Sequence, residues 1–428
     1  MLNQIRLLRR LQEARKALQC LDAILMKPKL FLSALWLLIA CLLAGLVCGT
    51  ALPLSAAEKI RLGEIDPLSG HLAKPGLEIH QGILYAVEEA NARGGVAGRP
   101  VELLNRDDQS KPDVAVNQAQ DLIFREKIIG LVGGYVDSLV GPISQQAARH
   151  RVPYVASASL QQAITSNKNP FFFRVSSLEG ITQPLSHFLA RTLKTRRVAL
   201  VYAATPGASE FADNVQAQLR QLGGEVVLRD KFRPGWPDFS VFLLKLPPAQ
   251  VETLISGGFY ADNLILARQM RERPLGLKAF IAPWGVAYQS FIDEVGPGSE
   301  GLFGACAWNP GITQPGTEKA SQAFVAGFRK KFGKEPNTTT MHGYTSARAL
   351  LAAIEQVLQG GGQLTGEAVS QALARLDLQL PMERLAFDAH GDPRYYQQVI
   401  VQIQKQRLVV VYPPERATGQ VDFSLARR

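Results

Sequence analysis

The residues most able to do chemistry in this 428-residue chain are scattered rather than assembled. Its six histidines, His71, His80, His150, His187, His342 and His390, stand at no spacing that would let two of them share a metal ion. The acids offer one adjacent pair, Asp107-Asp108, which suits the tying of a loop better than acid–base work. The segment from Gly327 to Lys334 imitates a phosphate loop. However, five residues separate Gly327 from Gly333, and Lys334 is followed by Glu335 instead of Ser or Thr. Neither HExxH, CxxC nor GxSxG occurs. No cofactor and no catalysis are expected from these residues.

The elements that would have to position any site follow a clear rhythm. Ile60 to Ile65, Val101 to Asn105, Ile128 to Val132 and Val152 to Ala156 read as short apolar strands. Helical spacing separates them at Leu77 to Arg93 (Ile79, Ile83, Ala86, Val87, Ala90), at Val114 to Glu126, and from about Pro142 to Arg149. The pattern restarts after Phe173-Arg174-Val175. Strands are expected at Val198 to Tyr202, Glu225 to Asp230, Val251 to Ser256 and Ala279 to Ala282, and helices at Glu210 to Leu222 and Ala261 to Arg271. Helices at Thr317 to Phe332 and Tyr344 to Leu358 follow, then a turn at Asp388 to Asp392 and a strand-like end at Val399 to Val411. Alternation of this kind predicts parallel βαβ units and an α/β fold of two doubly wound lobes.

One run is specific enough to carry a resemblance. Asn91-Ala92-Arg93-Gly94-Gly95-Val96-Ala97-Gly98-Arg99-Pro100 is followed by Asp107-Asp108, Pro112, and a helix with Ala115 and Ala119. With Pro67-Leu68-Ser69-Gly70, Gly82, Phe328, Phe332-Gly333-Lys334-Glu335-Pro336 and Phe387-Asp388-Ala389-His390-Gly391-Asp392, it resembles the type I periplasmic solute-binding proteins of the leucine/isoleucine/valine-binding group, over nearly all of Ile60 to Tyr412. Locally these residues build turns and helix ends and say nothing of a ligand. The resemblance implies two parallel-sheet lobes joined by a three-crossing hinge that close over a solute, with crossings near Ser176, Gly304 and Pro381. The implied segments are 58–176 and 305–380 for the first lobe, 177–304 and 381–413 for the second, and 414–428 as a tail. It also implies membrane permease subunits of an ABC transporter as partners, and a monomer.

In open α/β sheets ligands sit beyond the carboxyl ends of the strands. The loops so placed supply the expected ligand-binding set: Ser69, Tyr135, Asp137, Ser138, Ala158, Ser159, Leu160, Gly207, Phe259 and Trp284. The resemblance implies a serine after the third strand and a threonine in the next loop to hold a ligand carboxylate. Asp137 and Leu160 stand there, with Ser138 and Ser159 beside them. Trp284 stands where an acid would meet an ammonium. Two readings stay open. Either the pocket takes a different solute, with Tyr135, Phe259 and Trp284 as apolar or stacking surface and Asp137 facing a donor or cation. Or the register is shifted, and Ser138 and Ser159 hold a carboxylate.

Before the lobes lies a leader. Lys27 and Lys29 precede the apolar run Leu30 to Leu54, and small Ser55 and Ala57 precede Glu58, as in an export signal cleaved after Ala57. Residues 1 to 25 form a basic amphipathic extension that ordinary signals lack, and a true start at Met26 is its plainest explanation. The run is long enough to anchor the chain uncleaved, and Leu38-Ile39-Ala40-Cys41 has the form of a lipidation box. Periplasmic export is the expectation in every case. The leader holds seven of the 47 basic and two of the 37 acidic residues, leaving 40 against 35, or +5. That is too dispersed for a nucleic-acid binder. Beyond the leader Cys306 stands alone, so no internal disulfide forms, and it reads as a small apolar core residue. A solute-binding component of an uptake transporter, taking a small polar or amino-acid-like molecule, is the function implied. A sensing receptor with a separate signalling partner is the alternative.

Overall fold

A computed structural model describes residues 15–16, 58–247, 250–272 and 275–426. The leader's apolar run, the cleavage site after Ala57 and the box at Cys41 lie outside them. The first stretch runs β1 (Ile60–Asp66), α1 (Ala73–Ala92), β2 (Val101–Asp107), α2 (Pro112–Phe124), β3 (Gly130–Tyr135), α3 (Asp137–Arg149), β4 (Tyr154–Ala158), α4 (Gln162–Ser166) and β5 (Phe172–Arg174). Its five strands form one sheet in the order β2-β1-β3-β4-β5, every neighbour parallel. The apolar positions of α1 expected from spacing, Ile79, Ile83, Ala86, Val87 and Ala90, are all buried. Each of the Ile and Val side chains contributes roughly 1.5–3 kcal/mol by leaving water.

The chain then enters α5 (Glu179–His187), a π-helical turn at Phe188–Thr192, β6 (Arg197–Ala203), α6 (Pro206–Gln221), β7 (Glu225–Phe232), α7 (Ser240–Lys245), β8 (Thr253–Gly257), α8 (Tyr260–Arg271), β9 (Ala279–Ala282), α9 (Gln289–Val295) and β10 (Phe303–Cys306). It continues through α10 (Glu318–Phe332), α11 (Thr338–Gln359), α12 (Gly366–Leu373) and the two-stranded pair β11 (Asp377–Gln379) and β12 (Arg384–Ala386). β13 (Val399–Gln404), β14 (Arg407–Tyr412) and the short α13 (Phe423–Ala426) end it. The second sheet has the order β14-β13-β10-β9-β8-β6-β7. Its strands from β7 to β10 are parallel, whereas β13 and β14 add antiparallel. The single strand-like end expected at Val399 to Val411 is therefore a hairpin. Its loop residues Lys405 and Gln406 have φ of 53° and 57°, a turn that glycine and asparagine normally occupy. Here Glu300 holds it, accepting from the Lys405 N–H at 2.9 Å and the Gln406 N–H at 2.6 Å.

The two lobes are interleaved. Helix α11 returns to the first sheet, packing on α1, β3 and β4. Gly82 and Gly343 let the two helices meet: a Cβ on Gly82 would stand 2.0 Å from the Thr340 carbonyl oxygen, and one on Gly343 would stand 2.2 Å from that of Ile79. Ser176 lies between β5 and α5, while Gly304 lies inside β10 and Pro381 lies between β11 and β12. The second sheet thus keeps the chain to Cys306 and regains it at Val399.

Several helices begin earlier than their sequence suggests, α3 and α11 by the most. Proline favours a first turn, which puts the start of α3 near Pro142, yet α3 begins at Asp137 with Pro142 inside it. Helix α11 begins at Thr338 instead of Tyr344 because Asn337 caps it, its side chain accepting from the Thr340 N–H at 3.0 Å. Both extra turns bring a helix N-terminus to the space between the lobes.

Candidate functional site

Between the lobes lies a cavity of about 70 Å³, lined by residues of both sheets and of the connecting segments. Seven of the ten residues assigned from sequence line it: Tyr135, Asp137, Ala158 and Leu160 from the first lobe, Gly207, Phe259 and Trp284 from the second. Ser69, Ser138 and Ser159 are not among its lining residues. Ser69 is exposed, and its hydroxyl donates to Asp107 Oδ2 at 2.6 Å. Asp107 Oδ1 also accepts from the N–H groups of Leu68, Ser69 and Gln109. The adjacent acid pair therefore ties down a loop, as its turn context suggests.

Ser159 is buried behind the cavity wall because Asp137 takes its hydroxyl. Asp137 Oδ1 accepts from Ser159 Oγ at 2.7 Å, Leu160 N at 2.8 Å and Gln161 N at 2.8 Å. Its Oδ2 lies against Gly207, where an added Cβ would stand 1.8 Å from it. The Asp137 carboxylate is thus held by a loop of its own lobe and faces the start of α6 on the other. Val136, just before it, holds φ 68°, a left-handed conformation costly for a β-branched residue. This strain sits where the chain must swing from β3 into the cleft.

Aromatic rings form one wall. Phe259 and Trp284 stack at 6.2 Å with 26° between their planes, and Phe211 supports Trp284 at 4.9 Å. Tyr135 meets Phe259 edge-on at 5.9 Å across the lobe boundary. Asp262 fixes the backbone here, accepting from the N–H groups of Phe259 and Gly235. Further contacts close the lobes on each other. The Gln162 N–H donates to Glu210 Oε2 at 2.7 Å, the Tyr288 and Thr339 hydroxyls are bonded, and Lys74 Nζ lies 4.9 Å over the Tyr260 ring.

The opposite end is polar but uncharged. Gln398 Nε2 donates to the Tyr396 hydroxyl at 2.8 Å, and that hydroxyl lies 3.4 Å from His342 Nε2. Burial pushes the His342 imidazole down to about 4, so it is neutral at physiological pH. Gln398 Oε1 has no protein partner among the described residues. These residues, with Ser176, Thr205, Tyr288, Thr338 and Thr339, were not assigned from sequence. The run Asn337-Thr338-Thr339-Thr340 was a legible signal, since it is a capped helix start. Tyr396 and Gln398 carried none, because only the return of the chain between β12 and β13 brings them here.

Two lobes of parallel sheet, closed over a cavity built from strand-end loops, define a solute-binding architecture. The family model described as "periplasmic binding protein" matches residues 59–406, and the chain belongs to that family. The Leu/Ile/Val-binding protein homolog 7 of Brucella melitensis is 27% identical over 404 residues, covering 90% of this chain and 98% of its own. Among solved structures, the substrate-binding protein LivJ of Streptococcus pneumoniae in complex with isoleucine superposes with a TM-score of 0.74 at 20% identity, over 82% of this chain and 98% of that one. A solute-binding protein of Rhodopseudomonas palustris in complex with 3,4-dihydroxybenzoic acid gives 0.73 at 22%, over 82% and 95%.

Proposed function

We propose that this protein is the periplasmic solute-binding component of an ABC uptake transporter, acting as a monomer that delivers its solute to membrane permease subunits. It closes its lobes over a small polar or amino-acid-like molecule and performs no chemistry on it. The observation that carries this reading is the convergence of residues from both lobes on one cavity, with an aromatic wall at one end and neutral polar groups at the other. Family membership supports it, as do the two similar solved proteins, one holding isoleucine and the other an aromatic acid. A solute that touches both lobes has more contacts in the shut form, and this differential affinity drives closure.

The test is a thermal-shift screen of the purified protein against amino acids, amides, aromatic acids and amines. A true ligand at a hundred times its Kd adds about 2.7 kcal/mol of stability. Mass spectrometry then shows the compound unchanged after prolonged incubation. Consumption of the compound, or a panel without a single stabilising member, sinks the proposal.

A further inference from the structure

The loop between β4 and α4 carries a cluster of hydrogen-bond donors behind the cavity wall, and a protein carboxylate that lines the cavity already occupies it. Three donors, Ser159 Oγ, Leu160 N and Gln161 N, converge on Asp137 Oδ1 at 2.7 to 2.8 Å. They fill the lone pairs that one carboxylate oxygen presents. The other oxygen lies against Gly207, the second residue of α6. There the free N–H groups of the first turn and the helix dipole favour negative charge. A donor-rich loop and a helix N-terminus on opposite lobes are together a receptor for an anionic head. In this protein the anion is built in.

We infer that the cleft selects a solute without a free carboxylate, an amide or amine with an apolar or aromatic body, and that Asp137 sets this specificity by occupying the anion cradle itself. This rests on the solute-binding reading given above. No Lys or Arg is among the residues lining the cavity, so a solute carboxylate would be buried beside Asp137 with no cation to offset the repulsion. His342 supplies none, being neutral. At the far end Gln398 Oε1 is an acceptor without a protein partner among the described residues, which an N–H of the solute satisfies. Phe259, Trp284 and Tyr135 offer ring faces and edges to an apolar body.

The experiment uses pairs that differ only in the carboxylate: leucine and leucinamide, phenylalanine and phenylalaninamide, benzoate and benzamide. Each is titrated calorimetrically into the wild type, Asp137→Asn and Asp137→Ser. The wild type is expected to bind the amide of at least one pair about 100-fold tighter than the acid, as like-charge juxtaposition dictates. Asp137→Ser, which empties the cradle, is expected to cut that ratio at least about tenfold by gaining affinity for the acid. The inference is overturned if the wild type binds an acid as tightly as its amide, or if the ratio is unchanged in both variants. Should the wild type bind no member of any pair, Asp137→Ser decides: acid binding that appears supports the inference, and its failure to appear overturns it. The wild-type ratio stands without any variant, should one fold poorly. Failure of the solute-binding reading would be seen separately, as consumption of a compound.

Discussion

The Asp137 carboxylate of one lobe and the Gly207 backbone of the other approach so closely that no side chain fits between them. Gly207→Ala would place a methyl group 1.8 Å from Asp137 Oδ2, so the two lobes must part there while Asp137 keeps its three donors. Neither lobe's own core is touched. The expected result is a loss of solute affinity of roughly tenfold or more, with the melting temperature of the unliganded protein nearly unchanged. Calorimetric titration and a thermal melt check both halves.

Trp284→Ala removes the ring that stacks on Phe259 and should weaken any solute with an apolar body by roughly tenfold or more. Asp137→Ala behaves differently. It leaves three donors of the 159–161 loop unpaired, which costs about 1–3 kcal/mol, so its unliganded melt falls as well. A comparison of the two apo melts separates the wall residue from the loop-holding one.

These two residues also show what a sequence can convey. Asp137 and Trp284 were legible as cleft residues because strand ends are predictable and ligand loops follow them. The partners of Asp137 were not legible, since three hydrogen bonds to a loop 22 to 24 positions away depend on the parallel register of β3 and β4. Ser69 shows the converse. Its loop lies at a strand end, but Asp107 at the end of the neighbouring strand captures it. The hairpin β13–β14 was concealed because Lys405-Gln406 lacks turn chemistry of its own and borrows it from Glu300, over a hundred residues earlier.

That borrowed turn is improvable. Lys405→Gly puts a residue that tolerates positive φ where the backbone demands it, and it keeps Gln406, whose Nε2 donates to Glu300 Oε1 at 2.9 Å. The expected gain is about 1 kcal/mol, read as a higher midpoint in urea at an unchanged slope.

Glu383 is wholly buried, and its Oε1 has no partner among the described residues; Gln314 Nε2 donates to its other oxygen at 3.4 Å. Burial raises its carboxyl from the ordinary 4.5 to about 8. Between those values the folded protein holds a proton that the unfolded chain has released. Its contribution to stability is therefore fully present below about 4.5 and is lost as pH rises through about 8. Glu383→Gln should flatten the fall of stability with pH in this window by on the order of 1 kcal/mol per pH unit. Asp108, raised by burial to about 7, leaves a residual slope of the same sign. Urea titrations at several pH values measure it.

Cys306 is 1% exposed, and burial pushes its thiol up to about 12. Alkylation followed by peptide mass mapping should leave Cys306 unmodified in the native protein and modify it fully in denaturant.

The crossing of α1 and α11 through Gly82 and Gly343 fixes the order in which the molecule can be made. The sheet of β1 to β5 is laid down by residue 174, but the helix that covers α1, β3 and β4 is not complete until Gln359. The second lobe's whole first pass, from Glu179 to Cys306, is synthesised while that apolar face waits. The second lobe waits in turn for β13 and β14. A growing chain therefore completes its first half only after most of the second has been made, and its second half only when β13 and β14 emerge.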